Sequence, residues 1–151
     1  MAAPDLRDAL DDPGDRRTFE RCKLDRAEAR TELVALHRDL LELRRSDPVL
    51  RTQGEGGVEG SVLGPEAFAL RWLAPGGADR LLLVNLGADL SRGSLADPLV
   101  APPQGRRWAV AWSSEHPRYG GAGTPAPFHD AGVRIAGHAA VLLAPEGAGR
   151  G

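Results

Sequence analysis

Cysteine is almost missing from this chain of 151 residues: Cys22 stands alone, so no internal disulfide can form, which fits a reducing compartment. With no His placed beside it as a base, Cys22 reads as a small, partly buried side chain rather than a reactive thiol. An excess of one charge is missing too. Nineteen basic against 21 acidic residues give a formal charge of −2, which supplies no field for nucleic acid or an anionic membrane. No run approaches the roughly 20 apolar residues that a spanning helix needs. The opening MAAPDLRDALDDPGD is acidic and has no apolar core, unlike a secretory signal. The expectation is a cytoplasmic protein with neither a nucleic-acid nor a membrane partner.

What is present is unevenly spread. Residues 1–51 hold 23 of the 40 ionised side chains and the remaining hundred hold 17, which implies two structural pieces. The organising stretch is Asp25 to Pro48, whose leucines Leu33, Leu36, Leu40 and Leu43 recur at helical steps and stack on one face that should be buried. Asp25 and Glu28 form an Asp version of a capping box, Arg44 and Arg45 suit the carbonyl end, and Pro48 pushes Asp47 out of the α region. Ahead of it, Met1 to Asp15 lacks periodicity and reads as loop, and Thr18 to Leu24 as a short helical turn.

From Val49 the period changes from 3.6 to 2, with turn signals every eight to twelve residues, as in a sandwich of short antiparallel strands. Phe68, Leu70 and Trp72 share one strand face, and Ala74-Pro75-Gly76-Gly77 closes that strand. Leu81 to Leu86, apolar on both faces, should be the central strand. Leu90 to Leu99 offers a short strand interrupted at Asp97-Pro98, and Trp108, Val110 and Trp112 predict a one-sided one. Val133 and Ile135 open a late hairpin around Gly137-His138, completed by Ala139 to Ala144. The fold class is therefore mainly β: an antiparallel β-sandwich preceded by an amphipathic helix. The divisions are 1–48 for the lead and helix, 49–146 for the β-domain and 147–151 for a tail.

The chemistry in these residues is thin. Asp11 and Asp12 are paired carboxylates in a loop-like lead, not two groups fixed across a cleft, and read as solvated surface. His37, His116, His129 and His138 lack metal-ligand spacing, so neither a metal nor a cofactor is expected. Ser113, Ser114, Glu115 and His116 adjoin in a turn without a nucleophile elbow. Tyr119 to Gly123 lacks the lysine and following helix of a phosphate loop. Trp72, Trp108 and Trp112 lie on apolar strand faces and read as core. Tyr119, in a loop, is the candidate for stacking a sugar.

Several stretches resemble a known family. DPGDRRTFERCKLD (Asp12 to Asp25) and the helix ending LRRSDPVL (Leu43 to Leu50) are similar to the segment after the last barrel strand of malto-oligosyltrehalose trehalohydrolases, in the α-amylase superfamily. RLLLVNLG (Arg80 to Gly87) resembles a strand widespread in that superfamily's C-terminal β-domains. WSSEHPRYGGAGTP (Trp112 to Pro125) resembles the trehalohydrolase version, whereas branching enzymes share mainly Tyr-Gly-Gly; GHAAVLLAP (Gly137 to Pro145) fits the same domain. Cys22 departs from an expected Ser and Arg26 from an expected aromatic residue.

The resemblance implies a retaining glycoside hydrolase that releases trehalose by cleaving the α-1,4 bond next to the terminal trehalose unit, using an Asp nucleophile, a Glu acid and a second Asp. Those acids sit on barrel strands preceding the matched region, so no catalytic residue carries over. The implied chain is the last barrel helix plus the C-terminal β-domain, from a truncated or split gene and inactive alone. Its implied partners are a catalytic barrel, in the same or an adjacent chain, and α-glucan or malto-oligosyltrehalose. Alternatives are a free-standing module contacting α-glucan, a purely structural domain shielding barrel helices, or the C-domain of a related enzyme such as a branching enzyme. Without a barrel, the face of Leu33, Leu36, Leu40 and Leu43 should drive self-association.

Overall fold

A computed structural model describes residues 12–23, 30–52, 57–93, 97–129 and 132–147. The chain divides into two compact units, Met1–Thr31 and Glu32–Gly151. In the first, helix α1 (Arg16–Arg21) starts where the Asp15 carboxylate accepts from the Arg17 N–H at 2.8 Å. Cys22 caps its end and is exposed, not partly buried as its residue type suggests, because α1 buries none of its residues.

Helix α2 (Thr31–Ser46) lies in the second unit from Glu32 onward. The capping box at Asp25 and Glu28 lies outside the described residues. Arg44 and Arg45 occupy the last turn, and Asp47 leaves the helical region with φ −74° and ψ 118°, as the following proline requires. Asp47 then caps a further short helix, α3 (Pro48–Arg51), accepting from the Val49 and Leu50 N–H groups and seating Leu50 in the protein.

The four spaced leucines of α2 do not form one buried face. Leu36 and Leu43 are half-buried together with Ala35 and Asp39, while Leu33 and Leu40 are exposed. At about 100° per residue, the covered side centres near Asp39, and Leu33 and Leu40 lie roughly a quarter-turn or more away from it. Val34 and Leu41 are exposed as well, so α2 carries apolar surface on two sides.

Eight strands follow: β1 (Val58–Gly64), β2 (Ala67–Trp72), β3 (Arg80–Asn85), β4 (Leu90–Arg92), β5 (Arg106–Ser113), β6 (Phe128–His129), β7 (Gly132–Ile135) and β8 (Ala139–Gly147). They form two antiparallel sheets, a five-stranded one in the order β1-β2-β3-β8-β5 and a three-stranded one in the order β4-β7-β6. The doubly apolar β3 is the middle strand of the larger sheet, as its composition predicts. One core joins the sheets through Ala69, Leu81, Leu83, Val141 and Leu143 on one side and Val133 and Ile135 on the other.

Two expectations fail for identifiable reasons. Trp108 and Val110 pair with Pro145 and Leu143, but the register slips at Ala111, and Trp112 pairs with Leu142. One extra residue inverts a period of two, so Trp108 packs against the core while Trp112 lies on the sheet's other face. The late hairpin is not one, since β7 and β8 belong to different sheets. Asn85, only 2% exposed, donates through Nδ2 to the carbonyls of Ala88, Ile135 and Ala136, and the His138 N–H donates to the Gly87 carbonyl. These bonds hold the chain in a corner between sheets, with His138 at a φ of 53°.

Candidate functional site

The outer face of the large sheet is apolar too. Phe68, Leu70 and Trp72 stand there on β2, opposite Val84, Leu82 and Arg80 of β3, while alanines 67 and 69 fill the inter-sheet core. Leu142 of β8, between Leu82 and Trp112 on this outer face, is only 3% exposed. Two polar anchors bring α2 and its C-terminal extension here. At one, the Tyr119 hydroxyl donates to Asp39 Oδ2 at 2.6 Å and Arg118 pairs with the same oxygen at 2.9 Å. At the other, Arg80 Nε donates to Asp47 Oδ2 at 2.7 Å.

The loop that presents Tyr119 is tied down along its length. After β5, the Ser113 hydroxyl accepts from the Glu115 N–H, and His116 caps a 3₁₀ turn at Pro117–Tyr119 that ends on Gly120 at φ 85°. The Gly123 N–H donates back to the Glu115 carbonyl at 2.7 Å. A Cβ on Gly121 would come within 2.4 Å of the Glu115 backbone, so this close approach admits glycine alone. Tyr119 also accepts from Trp112 Nε1 at 3.3 Å, and its ring lies 6.2 Å from that of Trp112 and 5.8 Å from that of His116. Burial and the Asp39 carboxylate both push the Tyr119 phenol above its ordinary value.

Asp47 shifts the other way. Burial raises its pKa, but the Arg80 guanidinium and the N–H groups of Leu50 and Val49 outweigh that and hold it below the ordinary 3.8. A third ion pair joins Arg71 to Asp79 at 2.7 Å, with both side chains largely buried. Arg71 also donates to the carbonyls of Leu99 and Ala101 and lies over the Trp108 ring, so this pair ties the β2–β3 connection to the turn at Pro98–Val100.

Hydrolysis by paired carboxylates has no counterpart in these ion pairs: Asp39, Asp47 and Asp79 are each bound to an arginine. Among the described residues, no group of three or more His, Cys, Asp or Glu side chains is gathered as for a metal. No helix among them is long and apolar enough to cross a membrane. Ser113, Ser114, Glu115 and His116, adjacent in sequence, serve as turn and strand contacts, with Ser114 Oγ accepting from the Ala140 N–H.

One cavity opens where α3 meets the end of β2. About 600 Å³ in volume, it is lined by Trp72, Leu73 and Pro75 on one side and by Arg44, Val49 and Thr52 on the other. Sequence reasoning missed it. Trp72 looks like a core residue by pattern, and only the placement of α3 reveals that its face of the strand is partly open.

Comparison with known protein families matches residues 55–142 to a family described as a domain of unknown function, DUF3459. The chain belongs to the DUF3459 family. That family is the C-terminal domain of α-amylase superfamily enzymes, where it normally pairs with a catalytic barrel. Comparisons with curated proteins and with solved structures gave no match. The DUF3459 region begins beyond α2 and α3, yet both anchors run from within it, at Arg80, Arg118 and Tyr119, to Asp39 and Asp47 outside it.

Proposed function

We propose that this chain is the C-terminal part of a malto-oligosyltrehalose trehalohydrolase, in which the DUF3459 domain holds the last helix of a catalytic barrel. The observation that carries this reading is the bond from Tyr119 to Asp39. It joins the loop with the most trehalohydrolase-like sequence to the helix that resembles the barrel's last. The exposed Leu33, Val34, Leu40 and Leu41 supply the apolar side such a helix would turn toward its barrel. On this reading the chain has an accessory role in the cytoplasm. Catalysis belongs to the barrel's Asp, Glu and Asp, and copies without a barrel associate through α2.

The test is enzymatic. The purified chain is incubated with malto-oligosyltrehalose, alone and with a trehalohydrolase barrel lacking its own C-terminal part. Trehalose release only in the mixture is the expected result. Release by the chain alone would refute the accessory role, and a chain that fails to activate the trehalohydrolase barrel but does activate a branching-enzyme barrel lacking its own C-terminal part would refute the trehalohydrolase assignment.

A further inference from the structure

The cavity beside Trp72 has a chemistry that the domain's packing does not use. Of the three tryptophans, Trp108 donates its Nε1–H to the Val100 carbonyl and Trp112 donates to Tyr119. Trp72, which lines the cavity, has no hydrogen-bond partner for Nε1 among the described residues. Arg44 spends Nη1 on the Leu50 carbonyl, leaving Nε and Nη2 without a partner there. The Thr52 hydroxyl donates to the Pro48 carbonyl at 2.8 Å and keeps its lone pairs for an incoming donor. Around these groups the walls are apolar, and their rim is open: Val58 is 49% and Leu73 44% exposed.

Each property narrows the ligand. Among the described residues no carboxylate lines the cavity, and none of them favours a cation. The unspent indole and guanidinium N–H groups call for oxygen acceptors, and Thr52 accepts from a hydroxyl. Apolar walls and an indole ring call for a ligand with C–H faces of its own. A pyranose combines C–H faces with a hydroxyl rim. The volume falls within the roughly 300–1,000 Å³ of small-molecule sites, which are mostly apolar with a few directed polar groups.

We propose that this cavity is a binding subsite for one or two glucose units of an α-glucan, with Trp72 as the stacking platform and Arg44 and Thr52 as hydroxyl partners. The proposal deepens the α-amylase-superfamily reading above by giving the DUF3459 domain its own hold on the polysaccharide. Binding is measured on the chain alone, so its failure and that of the trehalohydrolase assignment are told apart.

The full chain is titrated with maltoheptaose, following tryptophan fluorescence and the heat of binding, with cellohexaose as the control for linkage. Saturable binding of maltoheptaose at millimolar concentration is expected, with cellohexaose at least about tenfold weaker. Trp72→Ala should weaken maltoheptaose binding by about tenfold or more, Trp72→Phe by less, and Tyr119→Phe by no more than about twofold. Thermal melts of each variant check the fold, and Trp72→Phe, which keeps a ring, decides the matter if Trp72→Ala does not fold. No binding by the unmodified chain, equal binding of both glucans, or a loss of binding in Tyr119→Phe but in neither Trp72 variant would each overturn the proposal.

Discussion

Tyr119 and Asp39, 80 positions apart in the chain, meet across a 2.6 Å hydrogen bond in which the phenol donates and the carboxylate accepts. This contact gives the loop after β5 a mechanical role. The Tyr119 hydroxyl is shared between Asp39, which accepts its proton, and Trp112, whose Nε1–H donates to it.

Tyr119 is the sole tyrosine, so tyrosinate absorbance reports on it alone. Its ionisation should lie above the ordinary 10, because burial and Asp39 disfavour the phenolate. Its contribution to stability is therefore present below pH 10 and is lost as pH rises through the higher folded value. In Asp39→Asn the titration should move back toward 10. An unchanged titration in that variant would show that the bond is not formed in solution.

Asp47 should give the opposite dependence. Its folded pKa lies below 3.8, so the stability it adds is present above that value and is lost as pH falls through the folded one. Asp47→Asn, which also loses the ion pair to Arg80, should lower the melting temperature at neutral pH. The gap to the unmodified chain should close in strong acid. A gap that is the same at pH 7 and pH 2 would mean that the charge is not what matters.

Asn85→Ala should be among the most damaging single changes. It strips three carbonyls of their donor inside the corner between sheets and leaves a void where a 2% exposed side chain was. Unsatisfied buried groups cost about 1–3 kcal/mol each, so a loss of at least roughly 3 kcal/mol by urea unfolding is expected. A change below about 0.5 kcal/mol would show that water replaces the amide.

The exposed side of α2 leads to a prediction about assembly. Fully burying a leucine contributes roughly 1.5–3 kcal/mol, and Leu33, Val34, Leu40 and Leu41 together form the kind of surface that drives association. Without a barrel the chain should dimerise or oligomerise at high concentration. Leu33→Glu with Leu40→Glu should restore the monomer and leave the melt of the β-domain nearly unchanged. Light scattering that finds the unmodified chain monomeric would remove this expectation.

A chain starting at Val49 tests how far the β-domain stands alone. The inter-sheet core does not involve α2, so a cooperative melt and a strand signal by circular dichroism should persist. The melt should fall below that of a chain starting at Glu32, because Arg80 loses Asp47 and Tyr119 loses Asp39. No cooperative melt would show that the two sheets depend on α2.

Composition and periodicity were enough for the fold class and the central place of β3. Two kinds of information were not in the pattern. A bulge is one inserted residue, and nothing in WAVAW marks Ala111 as that residue, so Trp112 seemed to share a face with Trp108. A strand apolar on both faces does not say which face is core. On β2 the small alanines took the inter-sheet side and the bulky Phe68, Leu70 and Trp72 the side toward the helix. The site was legible only in part. Tyr119 stood out as the lone tyrosine in a glycine-rich loop, but its partner Asp39 looked like any polar residue on the solvent side of a helix.

The strand order of the large sheet has a consequence for synthesis. β5 pairs with that sheet only through β8, the last strand in sequence, which lies between β3 and β5. On the ribosome, β1, β2 and β3 can assemble as they emerge, but β5 must wait, its Trp108 and Trp112 without their β8 partners, for Ala139–Gly147 to arrive. A ribosome that stalls or a message that ends shortly before that segment would leave an open β3 edge beside an unpaired β5. Such edges invite pairing with other chains, so premature termination here should yield aggregates instead of a smaller soluble domain.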